Sequence, residues 1–273
     1  MGTYVKNSAG VFLKSGGKLF KQNYNIGKGF RGTSAIYGTT KLRGLSLSTQ
    51  YSIEVCLNRP TYIQYGGVFK LTSISAVLNF NNWDTTAQPS FHCGAVSPAN
   101  QSRRVNNYLK TWMCFNVNGS FATNSDSLVY ANSANAVAAF GNNTNYPVLN
   151  GDLTSLVINS TGYHLSTGAS TARGNWDFYE FRLFDCLFIN SEIVFNANNG
   201  TFNDPFSNLA LKLWYKFELA EILDFSDALD GSDMRIGIRD FSGNNRHLEL
   251  IGLPAGTTQE KLDYANANLF VTY

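Results

Sequence analysis

The sequence predicts an all-β fold built as a sandwich of two stacked sheets, and three observations predict it. Apolar residues recur with period two along most of the chain. Asn-Gly and Gly-Gly pairs punctuate those runs at short intervals, and only one stretch reads clearly as a helix. A strand sends successive side chains to opposite faces, so period two marks segments with one face in a core.

Along the chain, Tyr51, Ile53, Val55 and Leu57 alternate with Ser52, Glu54 and Cys56. Trp112–Val117 is apolar on both faces, as expected of a strand covered on both sides. Tyr179, Phe181 and Leu183 alternate with Glu180 and Arg182. Leu211, Leu213, Tyr215, Phe217 and Leu219 alternate with Lys212, Trp214, Lys216 and Glu218. The expectation is that the apolar row of each run enters the core and the other row meets solvent. Turn signals stand at Gly16-Gly17, Asn118-Gly119, Asn150-Gly151, Asn199-Gly200 and Ser242-Gly243. Asn-Gly favours tight hairpins because both central residues take positive φ. A short helix is expected near 190–197, where Asn190-Ser191-Glu192 supplies capping groups and Asn198-Asn199-Gly200 a stop. A helical turn or two near Leu219–Leu229 is its sole competitor.

At 273 residues the chain fits one large β domain. Charged residues are 15%, below the roughly 25% of soluble domains, so Asn, Ser, Thr and Gly must supply the polar surface. The net charge of +2 gives no sign of nucleic-acid binding. Its distribution is uneven. Lys6, Lys14, Lys18, Lys21, Lys28, Arg31, Lys41 and Arg43 precede the first acid, Glu54, whereas Glu218, Glu221, Asp224, Asp227, Asp230 and Asp233 gather late. These are read as solvated segments or, alternatively, as a basic arm docking on an acidic patch of a neighbouring subunit. The expected organisation is a basic arm or edge strand over 1–29 and a sandwich over 30–273, its sheets completed by strands within 210–251.

The opening residues show no apolar h-region, and no run of apolar residues is long enough to span a membrane. Cys56, Cys93, Cys114 and Cys186 are widely separated and lack metal-binding spacing, so they are expected as free thiols. Synthesis in a cytosol fits these features; a chain trimmed of a leader is the alternative.

Gly174-Asn-Trp-Asp-Phe-Tyr-Glu-Phe-Arg-Leu-Phe-Asp-Cys-Leu-Phe-Ile-Asn-Ser-Glu-Ile-Val-Phe-Asn-Ala-Asn-Asn-Gly200 resembles the closing signature of laminin-G-like, concanavalin A-like jelly rolls. Glu180, Arg182, Ser191, Glu192, Ile193 and Gly200 fall at the pattern's positions. Tyr108–Val117 resembles the family's Trp-bearing strand, Ser127–Ser133 its next hairpin and Leu153–Asn159 the strand before the final pair. Leu45–Arg59 resembles an early core strand. Asp240-Phe-Ser-Gly-Asn resembles the turn that opens such domains, but stands near the carboxy terminus. The resemblance therefore implies a jelly-roll sandwich with permuted strand order. It is specific for fold and weak for function, because the fold hosts lectins, adhesion modules, glycosidases and structural parts.

Catalytic patterns are sparse. A retaining glycosidase needs two carboxylates about 5 Å apart. Acids two or four apart on a strand would share a face, and the sequence has none. Asp177 and Glu180, three apart, are expected on opposite faces; pairing between strands stays open. Only His92, His164 and His247 are present, with no HExxH or GxSxG. Gly27-Lys28-Gly29-Phe30-Arg31-Gly32 matches GxGxxG without the helix that a phosphate loop requires. Asp224, Asp227, Asp230 and Asp233 recur every third residue, which fits no EF-hand; they are read as a solvated loop, with calcium as the alternative. Asp240 reads as a turn former. For sugar binding, Asn82, Trp83 and Asp84 are the selected candidates: an aromatic face in a polar loop, which a subunit contact would equally explain.

The expected function is a non-enzymatic structural or adhesion component of a particle surface, such as a phage virion fibre, decoration or receptor-binding protein, with glycan recognition at those residues. Its partners would be other virion proteins, copies of itself or cell-surface glycans, and it would assemble in a host cytoplasm. An extracellular carbohydrate-binding module is the alternative, and a glycoside hydrolase a distant one. No cofactor or catalytic residue is assigned.

Overall fold

The structure is a computed structural model. It describes residues 28–58, 66–74, 77–80, 149, 151–162, 172–188, 210–226 and 233–272 in full, and elsewhere the backbone of the strands named below. Three sheets, antiparallel except where Arg173 meets Gly67 in a parallel bridge, account for the strands.

The first is a small meander of β1 (Tyr4–Asn7), β2 (Gly10–Ser15) and β3 (Lys18–Gln22). The other two sheets form the sandwich. One is built around β4 (Lys28–Arg31), β7 (Gln50–Asn58), β12 (Thr111–Asn118), β18 (Asp177–Phe184), β19 (Leu211–Lys216) and β23 (Phe270–Thr272), with β13 (Leu128–Tyr130) and β14 (Val137–Ala139) at its edge. The larger runs through β11 (Ser102–Arg104), β10 (Ser90–Gly94), β9 (Val77–Asn82), β8 (Gly67–Ser73), β15 (Gly151–Ile158), β5 (Tyr37–Lys41), β22 (Leu248–Ile251), β21 (Met234–Ile238) and β20 (Glu221–Asp224). Short strands β6 (Ser46–Leu47), β16 (Thr161–Tyr163) and β17 (Ser170–Arg173) flank it. The last segments lie beside the first ones of the sandwich: β22 pairs with β5, and β23 with β4.

The core forms where the two sheets face one another. Ile53, Val55 and Leu57 of β7 stand opposite Leu183, Phe181 and Phe178 of β18, and all six are buried. Phe181 meets Phe69 of the larger sheet edge-on at 5.4 Å, and Phe69 stacks on Phe80 at 5.0 Å. A second aromatic group joins Phe30, Phe178, Phe217 and Phe270. Each such ring contributes roughly 1.5–3 kcal/mol by leaving water. The glycines of the GxGxxG match serve packing here. A Cβ on Gly29 would fall 2.3 Å from the Tyr179 ring, and one on Gly32 the same distance from the Asn159 side chain.

Three expectations need correction. Charged and polar residues assigned to solvent on β7 and β18 are buried: Ser52, Glu54, Glu180 and Arg182 are at or below 1% exposure. Lys212 and Lys216 of β19 are half-buried, while Cys56 and Trp214 are buried as a small thiol and a strand tryptophan should be. The polar groups there are bonded mainly to one another, although Glu180 Oε2 is buried without a partner. Arg182 Nε donates to Glu180 Oε1 at 2.5 Å and its Nη1 to Glu54 Oε2 at 3.3 Å, while Trp214 Nε1 donates to Glu180 Oε1 at 2.5 Å. Burial pushes the Glu180 carboxyl up to about 8 against the pull of Arg182, which favours its protonated form. Second, Asp177 and Glu180 share a face. A bulge at Tyr179 puts them opposite Asn58 and Cys56, two residues apart on β7. Third, the Leu219–Leu229 stretch contains β20, held by pairing of Ile222 with Ile236, instead of a helical turn.

The helix expected near 190–197 lies outside the described residues. A helix that periodicity did not reveal, α1 (Thr258–Asn268), precedes β23. Thr257 Oγ1 accepts the Glu260 N–H and Glu260 returns a bond to the Thr257 N–H at 2.7 Å, a complete capping box. Only Ala265 of α1 is buried. Asn266 fastens the helix by exchanging two hydrogen bonds with the Ala220 backbone. No helix among the described residues is long and apolar enough to cross a membrane.

Candidate ligand cleft on the larger sheet

Along β5, Gly38 and Thr40 are buried, whereas Tyr37, Thr39 and Lys41 are half-buried or exposed on the outer face. Register sets Glu249 of β22 beside Thr39, and Gly237 of β21 beside Glu249. Over this surface lies a cleft of about 270 Å³, lined by Thr39–Lys41, Asp224–Ser226, Asp233, Arg235, Asn245–His247 and Glu249. That is just below the roughly 300–1,000 Å³ of small-ligand pockets.

One wall rests on a glycine. A Cβ at Gly237 would meet the Phe225 ring at 2.5 Å, so the missing side chain lets Phe225 lie against the sheet. Phe225 in turn meets His247 edge-on at 6.0 Å. Arg235 donates Nη1 to Glu249 at 2.8 Å and Nε to Asp233 at 2.8 Å. These two carboxylates raise the Arg235 pKa further above its ordinary value. Asp224 Oδ1 accepts the N–H groups of Ser226 at 2.9 Å and Asp233 at 3.0 Å, closing the turn between β20 and β21.

The opposite wall is fixed by Asp240. Its carboxylate, 5% exposed, accepts from the backbone of Trp214, Ser242 and Arg246 and from the Ser242 hydroxyl, all within 3.1 Å. The turn-former reading of Asp240 is therefore what the geometry shows. His247 follows from the same turn: its Nδ1 accepts the Asp240 N–H at 3.2 Å. Burial lowers the His247 pKa, in keeping with a neutral ring that accepts at Nδ1 and keeps Nε2–H as a donor.

The sequence-selected site is not part of this cleft. Asn82 ends β9 opposite Phe91, and its side chain, with Trp83 and Asp84, lies outside the described residues. Of the late acidic run, Asp224 and Asp233 line the cleft, and Asp227 and Asp230 lie outside the described residues. Among the described residues, no three His, Cys, Asp or Glu side chains group to hold a metal ion. Thr39, Lys41, Arg235, Arg246 and Glu249 went unselected because register across three strands and a turn assembles them. The one local signal was the Asp240-Phe-Ser-Gly-Asn turn that carries Arg246 and His247.

No family model matches the sequence, and no curated protein matches it. Solved structures do match. A crystal structure from Bacteroides ovatus, described as a candidate carbohydrate-binding protein, superposes with a TM-score of 0.50 and 15% identity over 85% of this chain. This chain spans 60% of the length of that protein. A SAP-like pentraxin of Limulus polyphemus gives 0.44, with 14% identity over 66% of this chain and 86% of its own. Mouse laminin α1 domains LG4-5 give 0.40, with 7% identity over 65% and 48%. At these identities the likeness is one of fold. With two antiparallel sheets packed on an aromatic core, this chain has the concanavalin A-like jelly-roll fold.

Proposed function

We propose that this chain is a non-enzymatic carbohydrate-binding adhesion domain, and that the outer cleft of the larger sheet is where it holds sugar. The cleft is the observation that supports the reading. It combines an aromatic wall with hydroxyl, guanidinium and imidazole donors held in place before any ligand arrives, which lowers the ordering cost of binding. Its carboxylates favour binding over hydrolysis, because Asp233 and Glu249 are committed to Arg235 and Asp224 closes a turn. The likeness to a candidate carbohydrate-binding protein supports the same class.

A glycan array tests it, using the whole chain and Thr39→Leu, which fills the cleft with a neutral, apolar side chain from an outward position on β5. The expected result is a defined set of glycan signals that Thr39→Leu removes while the melting temperature holds. An empty array would reject the reading. The surface we propose for the domain is that of an assembled particle such as a virion, where the amino-terminal lysines would dock on a neighbouring copy; a cell surface is the second reading. Light scattering of the whole chain and of a form lacking residues 1–27, which leaves β4 intact, tests this, and an unchanged oligomeric state would count against assembly through that segment.

A further inference from the structure

We infer that the ligand of this cleft is anionic, an oligosaccharide bearing carboxylate or sulfate groups that sits between Lys41 and Arg246 and extends over the adjoining sheet face. The inference rests on the glycan-binding reading and narrows it to a charge class.

It comes from sorting the charges on this face into committed and uncommitted ones. The acids are committed. Asp233 and Glu249 are bonded to Arg235, Glu221 to Arg239, and Asp224 to backbone N–H groups. The cations beside them are not. Lys41 and Arg246 both line the cleft, and neither has a carboxylate partner among the described residues. Arg246 is the sharper case. Its Nε–H is buried without an acceptor, while its backbone is pinned on both sides, N–H to Asp240 and C=O to the Tyr215 hydroxyl. The turn therefore fixes the backbone from which the guanidinium projects at the cleft. A buried charged donor lacking an acceptor is unfavourable, and an anion bound to the rest of the guanidinium lowers that cost.

The neighbouring face continues the pattern. Lys70 stands in register with Val157, which stands opposite Thr39, so Lys70 is two strands from the cleft, about 10 Å away. Arg173 lies 3.6 Å over the Tyr37 ring and donates to the Asn159 carbonyl, again with no carboxylate partner among the described residues. Tyr37 and Lys41 are the two ends of β5, about 13 Å apart. Between these cations stand Thr39, Thr72 and Ser155, small hydroxyl residues that leave the face open. The acid nearest this strip, Glu249, stands in register with Thr39 and is bonded to Arg235, and Asp152 sits at the far end of β15 beside Ser46. A chain carrying several negative groups meets a cation at each border of the strip, and a neutral sugar leaves all of them unmatched.

Calorimetry on the whole chain tests this with four probes: an unsulfated chondroitin hexasaccharide carrying uronate, its sulfated form, neutral cellohexaose, and a single-stranded DNA oligonucleotide. The expected result is that one or both chondroitins bind at least about tenfold tighter than cellohexaose, the size of one charge-assisted hydrogen bond. Their affinity should fall as salt rises from about 50 to about 500 mM. Lys41→Gln, an exposed position that does not touch the core, should weaken chondroitin about tenfold, as should Arg246→Gln. Preference for the unsulfated form assigns the anion as carboxylate, and preference for the sulfated form assigns it as sulfate. Cellohexaose binding as tightly would overturn the charge class while sparing the glycan reading. No binding to any sugar, on the array or here, would overturn both. Tighter binding of DNA, or indifference to Lys41→Gln, would also overturn this inference.

Discussion

Glu180→Gln should make the chain more stable at alkaline pH than the natural sequence. Glu180 is fully buried between Arg182 and Trp214, and burial holds its carboxyl at about 8, against about 4.5 for a free one. Below about pH 4.5 folded and unfolded chains both hold this proton, and its contribution to stability is complete. Between there and about pH 8 the folded chain keeps a proton that the unfolded chain has released. Stability therefore falls as pH rises, by about 1.4 kcal/mol for each pH unit. Above about pH 8 both states are ionised and the contribution is gone. From pH 5 to pH 8 the loss comes to about 4 kcal/mol, a large part of a domain's net stability. Glutamine has the shape of the protonated acid and can still accept from Arg182 and Trp214 through one oxygen, but it does not titrate. Urea unfolding followed by tryptophan fluorescence at about pH 5, 6.5 and 8 measures the effect. Every other titrating group is common to both proteins, so their difference isolates Glu180. The difference should move by about 3–4 kcal/mol in favour of Gln across that range. A difference that stays constant from pH 5 to pH 8 would refute the argument that Glu180 is protonated in the folded chain.

Two further substitutions test the walls of the fold. Asp240→Ala removes the acceptor of four donors, three of them backbone N–H groups. It should cost about 3 kcal/mol in denaturant unfolding and abolish binding at the cleft, because Arg246 and His247 lose their anchor. An intact cleft with normal affinity would show that the turn holds without its carboxylate. Thr257→Ala deletes the cap of α1 and should cost about 1 kcal/mol, with earlier amide exchange confined to α1 and β23. Uniformly faster exchange throughout the sandwich would show instead that α1 is part of the folding core.

What the sequence by itself determined about this protein is the local geometry. Alternation in Tyr51–Leu57 marked a true strand with its apolar row in the core, because the period of a pleated backbone is fixed by covalent geometry. In Leu211–Leu219 it did so for Leu213, Tyr215 and Phe217 but not for Leu219, which lies past the end of β19 and is 46% exposed. The Asp240 turn was equally legible, since a carboxylate reaching N–H groups two and six residues ahead is a short-range interaction. Thr257 and Glu260 carried a helix signal too, but α1 buries one residue and shows no apolar stripe, so the period alone passed over it. Only the tertiary structure decided the rest. Whether an outward row meets water depends on what covers it, and Glu54, Glu180 and Arg182 are covered. Glu180 and Arg182 stand two apart and pair locally, but Glu54 joins Arg182 across 128 residues, from β7 to β18, and that pairing left no local mark. The bulge at Tyr179 reversed the facing of Asp177 relative to Glu180, and a single inserted residue leaves no mark in composition. The cleft is the extreme case: Thr39, Arg235 and Glu249 meet only because β5, β22 and β21 are neighbours, and strand neighbours are chosen by burial of the whole sheet rather than by any of the segments that pair.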